Sequence, residues 1–180
     1  MNQSAVRKLH IGGMTRKEGW EVLNANPGPE VDHVRDASDM SCFADDTFDE
    51  IYASHVLEHF DYVNALELVI KEWKRILKPG GCAYISVPDM DTLCRLFLSS
   101  QLTMDQRYFV MKMIFGGHLD RYDYHMVGLN EDFLTYHFGQ AGYINIRRVE
   151  NFNIFSDTSE MLYLNVPVSV NMIVEKPSAA

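Results

Sequence analysis

Short apolar runs broken by turn residues alternate along this chain with longer stretches of helical spacing. Val6 to Ile11 is rich in β-branched and apolar residues and stops at Gly12-Gly13, which predicts a strand entering a turn. Trp20 to Ala25 predicts a second strand, closed by the turn residues Asn26 to Pro29. Val31 to Val34 predicts a short third strand, and Phe48 to Ala53 a fourth. From Tyr62 to Leu77, apolar residues at Leu66, Val69, Ile70, Trp73, Ile76 and Leu77 recur in steps of three and four, the period of a helix. Pro79-Gly80-Gly81 ends that helix, and Cys82 to Val87 reads as a buried fifth strand. Asp91 to Ser99 and the Met-rich Asp105 to Phe115 read as helices, as does Asn130 to Ala141 with an Asn cap. Tyr143 to Glu150 and Val168 to Glu175 close the chain as strands.

Seven strands, most of them separated by helices or long connections, predict an α/β fold: a mainly parallel sheet with helices on both faces. The last two strands are joined by a connection too short for a well-formed crossover helix, so an antiparallel hairpin at the sheet edge is expected. The 180 residues and 47% apolar composition suit one domain spanning residues 1–180. The formal charge of −9 disfavours nucleic acid and anionic membranes as main partners. No apolar run is long enough to span a bilayer, and the N-terminal stretch lacks a secretory signal core. Cys42, Cys82 and Cys94 are odd in number and lack metal-ligand spacing, so a reducing cytoplasm and three core thiols are expected.

In an open parallel sheet, ligands bind beyond the carboxyl ends of the strands. Each such end here carries a usable group. Gly12 and Gly13 allow close backbone approach, because neither has a Cβ. Asn24 can bond ribose hydroxyls, Asp36 beside Ala37 can accept from an exocyclic amine, and the fourth strand delivers SHVLEHF with His55 and His59.

The block FADDTFDEIYASHVLEHF, followed by a helix and EWKRILKPGGCAYISVPD, resembles the class I S-adenosylmethionine-dependent methyltransferases, and within them the small type 11 group. The resemblance implies a Rossmann-like sheet of order 3-2-1-4-5-7-6. It implies S-adenosylmethionine as cofactor, with Gly12 and Gly13 near its methionine part, Asn24 at the ribose, Asp36 and Ala37 at the adenine, and His55 near the sulfonium. The later stretch also resembles uncharacterised members linked to surface glycans, which makes a sugar or glycan precursor one acceptor to consider.

Two departures from the family pattern define a second reading. Met14 stands where a further glycine is common, and Asn24 where an acidic residue is usual. The interval from Gly13 to Trp20 is also too short for a full first helix. A non-catalytic protein of the same fold, acting as a binding or interaction module, would carry these changes. For an enzyme whose small-molecule acceptor is a hydroxyl, a general base near neutral pH helps, and histidine suits it. His55 and His125 are the candidates, with His118 and His59 as competitors. Residues 89–129, and within them 116–128, are the expected acceptor-facing lid. The run Met111 to Phe115, with Met104, reads as core packing, an acceptor wall or a homodimer face. His118, Asp120 and His125 come nearest to a ligand set, but no metal is expected.

Overall fold

A computed structural model describes residues 6–179. Its main sheet has seven strands in the order β3-β2-β1-β4-β5-β9-β6, and Leu162–Tyr163 (β7) pairs with Val166–Pro167 (β8) in a separate small hairpin. The sheet strands are Lys8–Ile11 (β1), Trp20–Asn24 (β2), His33–Val34 (β3), Phe48–Ser54 (β4), Leu77–Pro88 (β5), Ile144–Val149 (β6) and Ser169–Glu175 (β9). Pairing is parallel from β3 through β5, while β9 runs antiparallel to both β5 and β6. Counted by sheet strands alone, the order is the expected 3-2-1-4-5-7-6. The helices are Ala65–Ile76 (α1), Met90–Leu98 (α2), Met104–Phe115 (α3) and Glu131–Gln140 (α4).

Two element boundaries move by three residues or more. α1 starts at Ala65 rather than Tyr62, because Asp61 Oδ1 accepts the Val63 and Asn64 N–H groups in a turn before the helix. β5 begins at Leu77, so Pro79-Gly80-Gly81 lies within the strand as a bulge, where the register against β4 shifts between Phe48 and Glu50. The Asn130 cap forms as expected, with its side chain accepting the Phe133 N–H.

Alternation along the strands sorts residues to two faces. Leu9, Ile11, Ile51 and Ala53 join a core with Leu66, Ile70 and Trp73 of α1 and with Leu134 and Phe138 of α4. His10, Trp20 and Tyr52 face the other way. Their cover is not helical: Phe152, Ile154 and Phe155, from the connection between β6 and β9, pack there. Here the sheet departs from helices on both faces, because the connection from Gly12 to Gly19 is too short to supply one. α2 and α3 pack on each other, with Leu93, Val110 and Val168 between them.

The cysteines are not core residues. All three are free thiols, with Cys42 and Cys94 exposed and Cys82 half-buried. Cys42 falls in the turn before β4 and Cys94 on the outer side of α2, away from buried Leu93. The Met-rich α3 buries only Val110 fully, and Met104, Tyr108, Phe109 and Phe115 are exposed. Among the described residues, no helix is long and apolar enough to cross a membrane.

Trp73 is fully buried and its Nε1 donates to the Ala37 carbonyl at 2.9 Å. Trp73→Ala should cost about 3–5 kcal/mol in urea unfolding. Trp73→Phe keeps most of the burial and should lose about 1 kcal/mol beyond its volume change.

Candidate active site

The carboxyl ends of β1, β2, β3 and β4 open on one cavity of about 260 Å³. Gly12, Asn24, Asp36, Ala37 and His55 all line it, joined by His59 and by Arg121 and Tyr122 from the 116–128 segment. A second cavity of about 310 Å³ shares Gly12 and is lined by His10, Gly13, Phe155 and Asp157. A third, of about 130 Å³, shares His55 and is lined by Gly116, Gly117, His125 and Thr158. The sequence-predicted residues therefore meet at one edge of the sheet, with Gly13 and His125 in the adjoining cavities.

Close packing explains the glycine pair. A Cβ on Gly12 would lie 2.6 Å from Val56 Cγ2, and one on Gly13 would lie 2.5 Å from the His10 ring. Asn24 braces this turn: its amide nitrogen donates to the Gly12 and Gly13 carbonyls at 3.1 and 3.0 Å, and its Oδ1 accepts the Asn26 N–H. Asp36 Oδ1 accepts both the N–H and the hydroxyl of Ser38. The Ala37 carbonyl is fixed by Trp73.

His55 sits directly after β4 at φ 55°, a strained position for a residue with a side chain. Its Nε2 lies 2.9 Å from Ser169 Oγ, whose own proton goes to the Thr158 carbonyl at 2.9 Å. Ser169 has one hydroxyl proton, so His55 Nε2 must be the donor and Nδ1 carries the lone pair. Nδ1 faces Glu58 Oε1 at 3.3 Å. Burial lowers the His55 pKa to about 4, helped by the neighbouring His125.

Glu58 is the centre of this cluster. It is buried, and neither carboxyl oxygen has a hydrogen-bond partner among the described residues. Burial pushes its pKa up to about 8. Its backbone carbonyl accepts the Met126 and Val127 N–H groups, and His59 Nδ1 bonds the Tyr124 carbonyl at 3.0 Å, so the 116–128 segment is tied down here. That segment turns tightly at Gly116, where φ is +87° and a Cβ would lie 2.2 Å from the Asp123 carbonyl oxygen. His125 points inward with its pKa lowered to about 4, chiefly by burial. His118 instead stacks on Tyr124, and its Nε2 bonds the Phe115 carbonyl. The grouping of His118 and Asp120 with His125 is therefore not what the fold assembles.

Sequence reasoning missed Glu58, His10 and the connection between β6 and β9. Asp157 of that connection accepts from Tyr52 and Ser54, and Lys17 reaches across to the Ile154 carbonyl. The antiparallel turn of β9 against β5 was the available signal, since it returns this connection to the carboxyl edge of the sheet.

His10 tests the electrostatics of the site. Burial lowers its pKa from 6.5 to about 4, and its Nδ1 has no hydrogen-bond partner among the described residues. Below pH 6.5 the unfolded chain therefore binds a proton that the folded chain resists. Its contribution to stability is complete above pH 6.5 and is lost as pH falls through about 4. In urea unfolding across that window, His10→Phe should flatten the acid-side slope by up to about 1.4 kcal/mol per pH unit.

The comparisons agree with the geometry. The methyltransferase domain family of type 11 matches residues 17–85. No curated protein matches the sequence. A methyltransferase from Archaeoglobus fulgidus that depends on S-adenosylmethionine superposes with TM-score 0.58 at 14% identity, covering 97% of this chain and 87% of that one. One from Methanosarcina mazei gives 0.57 at 14%, covering 98% and 95%. Phosphoethanolamine N-methyltransferase 2 of Haemonchus contortus, in complex with S-adenosyl-L-methionine, gives 0.56 at 14%, covering 97% of this chain and 49% of that one. The chain likewise spans 64% of a Bordetella parapertussis protein that superposes at 0.58 with 11% identity, over 97% of this chain. At these identities the likeness is one of fold. Residues 17–85 therefore match a methyltransferase domain family, and the chain as a whole has the fold of S-adenosylmethionine-dependent methyltransferases.

Proposed function

We propose that this chain transfers a methyl group from S-adenosylmethionine to a small, uncharged, hydroxylated acceptor such as a sugar or glycan precursor. The observation that carries the reading is the convergence of Gly12, Asn24, Asp36, Ala37 and His55, from four separate connections, on one cavity. These residues fit the cofactor. Asp36 commits Oδ1 to Ser38, and among the described residues Oδ2 is free to accept from an exocyclic amine. The fixed turn at Ala37 gives the adenine a firm edge, and the Gly12 backbone lines the cavity beside the methionine part. Asn24 Oδ1 keeps one lone pair for a ribose hydroxyl.

When bound, S-adenosylmethionine supplies an electrophilic methyl group on a sulfonium. The protein has to align the acceptor and exclude water. Residues 116–128 serve as the lid: Arg121 and Tyr122 close the first cavity, and His125 walls the third, where the acceptor sits against His55. Burial keeps His55 and His125 neutral at pH 7, so each carries a lone pair for the acceptor's proton, as weak bases, with that of His55 on Nδ1 beside Glu58. Three free thiols suit a reducing cytoplasm, where we place the reaction.

One observation favours a non-catalytic role. Asn24 uses its amide to hold the glycine turn, so it offers the ribose a weaker partner than a carboxylate would. Calorimetric titration separates the two readings. An enzyme should bind S-adenosylmethionine and S-adenosylhomocysteine with Kd between about 1 µM and 1 mM. Asp36→Ala should weaken that binding about tenfold. Folded protein that gives no heat leaves the non-catalytic reading standing. With methyl-labelled cofactor and a panel of sugars and metabolites, His55→Ala or His125→Ala should lower kcat about 100-fold or more while cofactor affinity is kept. Unchanged turnover in both variants removes them from the chemistry.

A further inference from the structure

Between the first and third cavities lies a second constellation, built from the 3-10 turn after β4 and from the 116–128 segment. Glu58 is only 1% exposed, and both of its carboxyl oxygens lack a hydrogen-bond partner among the described residues. A carboxyl group left this way is costly, and native proteins give such groups a donor or a cation. Its own backbone N–H lies nearby, but no side-chain donor is in place among the described residues. The groups facing it are imidazoles: His55 Nδ1 at 3.3 Å and His125 Nε2 at 4.0 Å. His59 and His125 stand with ring centroids 5.0 Å apart. A carboxylate oxygen of Glu58 and one ring nitrogen from each of His59 and His125 lie within 4.8 Å of one another.

We infer that Glu58, His59 and His125 bind a divalent first-row transition metal, with zinc the best fit. Two imidazoles and one carboxylate are the donor set of many open, reactive metal sites. The orientation of His59 is the one such sites use. Its Nδ1 donates to the Tyr124 carbonyl, which leaves Nε2 to ligate. His125 is held near the Met113 and Ile114 carbonyls. Imidazole donors select against magnesium and calcium, which take oxygen ligands. In a tetrahedral complex with bonds of about 2.1 Å, ligand atoms lie about 3.4 Å apart, so the three side chains close inward by about 1 Å on binding. Glu58 ligates as the carboxylate, so any proton it carries leaves to solvent when the cation binds. His59 lines the first cavity and His125 the third, so the remaining coordination positions face the space where a ligand would sit. If the chain also transfers methyl groups, His125 is then a metal ligand and His55 alone remains as proton acceptor.

The test uses tag-free protein stripped with chelator, without cofactor, so its result is separate from the methyl-transfer reading. Wild type should retain one zinc per chain after dialysis. Its cobalt derivative should show visible d–d bands without the near-ultraviolet band of thiolate ligation. Glu58→Gln and His59→Ala should each weaken zinc binding by about 100-fold or more. His59 is half-buried, so His59→Ala keeps the test decisive if Glu58→Gln does not fold. Millimolar magnesium should not displace the zinc. Folded wild type that binds no zinc, a thiolate band, displacement by magnesium, or unchanged affinity in folded variants would each overturn the assignment.

Discussion

An unpaired carboxyl group in a protein interior costs about 1–3 kcal/mol even when neutral, and far more when ionised. Glu58 carries that cost at the point where three parts of the fold meet. The end of β4 delivers His55, the turn that follows delivers Glu58 and His59, and the 116–128 segment delivers His125. The Glu58 carbonyl receives the backbone of the third part, through Met126 and Val127. The side chain that is hardest to bury thus shares a residue with the bonds that hold the 116–128 segment. Loosening that segment would wet the carboxyl, and changing the carboxyl would alter how the segment packs over it.

The sheet sets the other half of the site. Parallel pairing of β3, β2, β1 and β4 brings four connections to one edge, and each contributes a residue to one cavity. The connection after β1 is shortened to a turn, and the chain compensates with side chains. Asn24 holds the glycine carbonyls, and Trp73 reaches through the core to fix Ala37. On the face left without a helix, Phe155 packs on His10 at 4.1 Å and on Tyr52 at 4.8 Å. Cover that a helix gives in longer chains comes here from aromatic side chains of a late connection.

Much of this was legible in the sequence, for identifiable reasons. β-branched runs and the three- and four-residue steps of α1 reflect burial that repeats along the chain, so the strands and α1 could be read locally. Turns at strand ends fall on one edge of any parallel sheet, so the cavity residues followed from topology. Glu58 was out of reach because nothing local marks a glutamate in a turn as buried. Its burial depends on residues 125–127, far along the chain. His125 was separated from His118 only by the turn at Gly116, where close approach to Asp123 sets which histidine points inward. The cysteines failed for a related reason: composition favours buried thiols, but an exposed turn and an outer helix face decided Cys42 and Cys94.

The hydrogen-bond chain from His55 runs through the Ser169 hydroxyl and stops at the Thr158 carbonyl, an atom with no proton to pass on. The chain therefore has a closed end. A charge that arrives on the imidazole has no conducting route behind it and must leave by the side on which it entered. The arrangement is a dead end rather than a wire, and with the His55 pKa lowered to about 4 any proton that reaches the imidazole at neutral pH is soon returned by the same face.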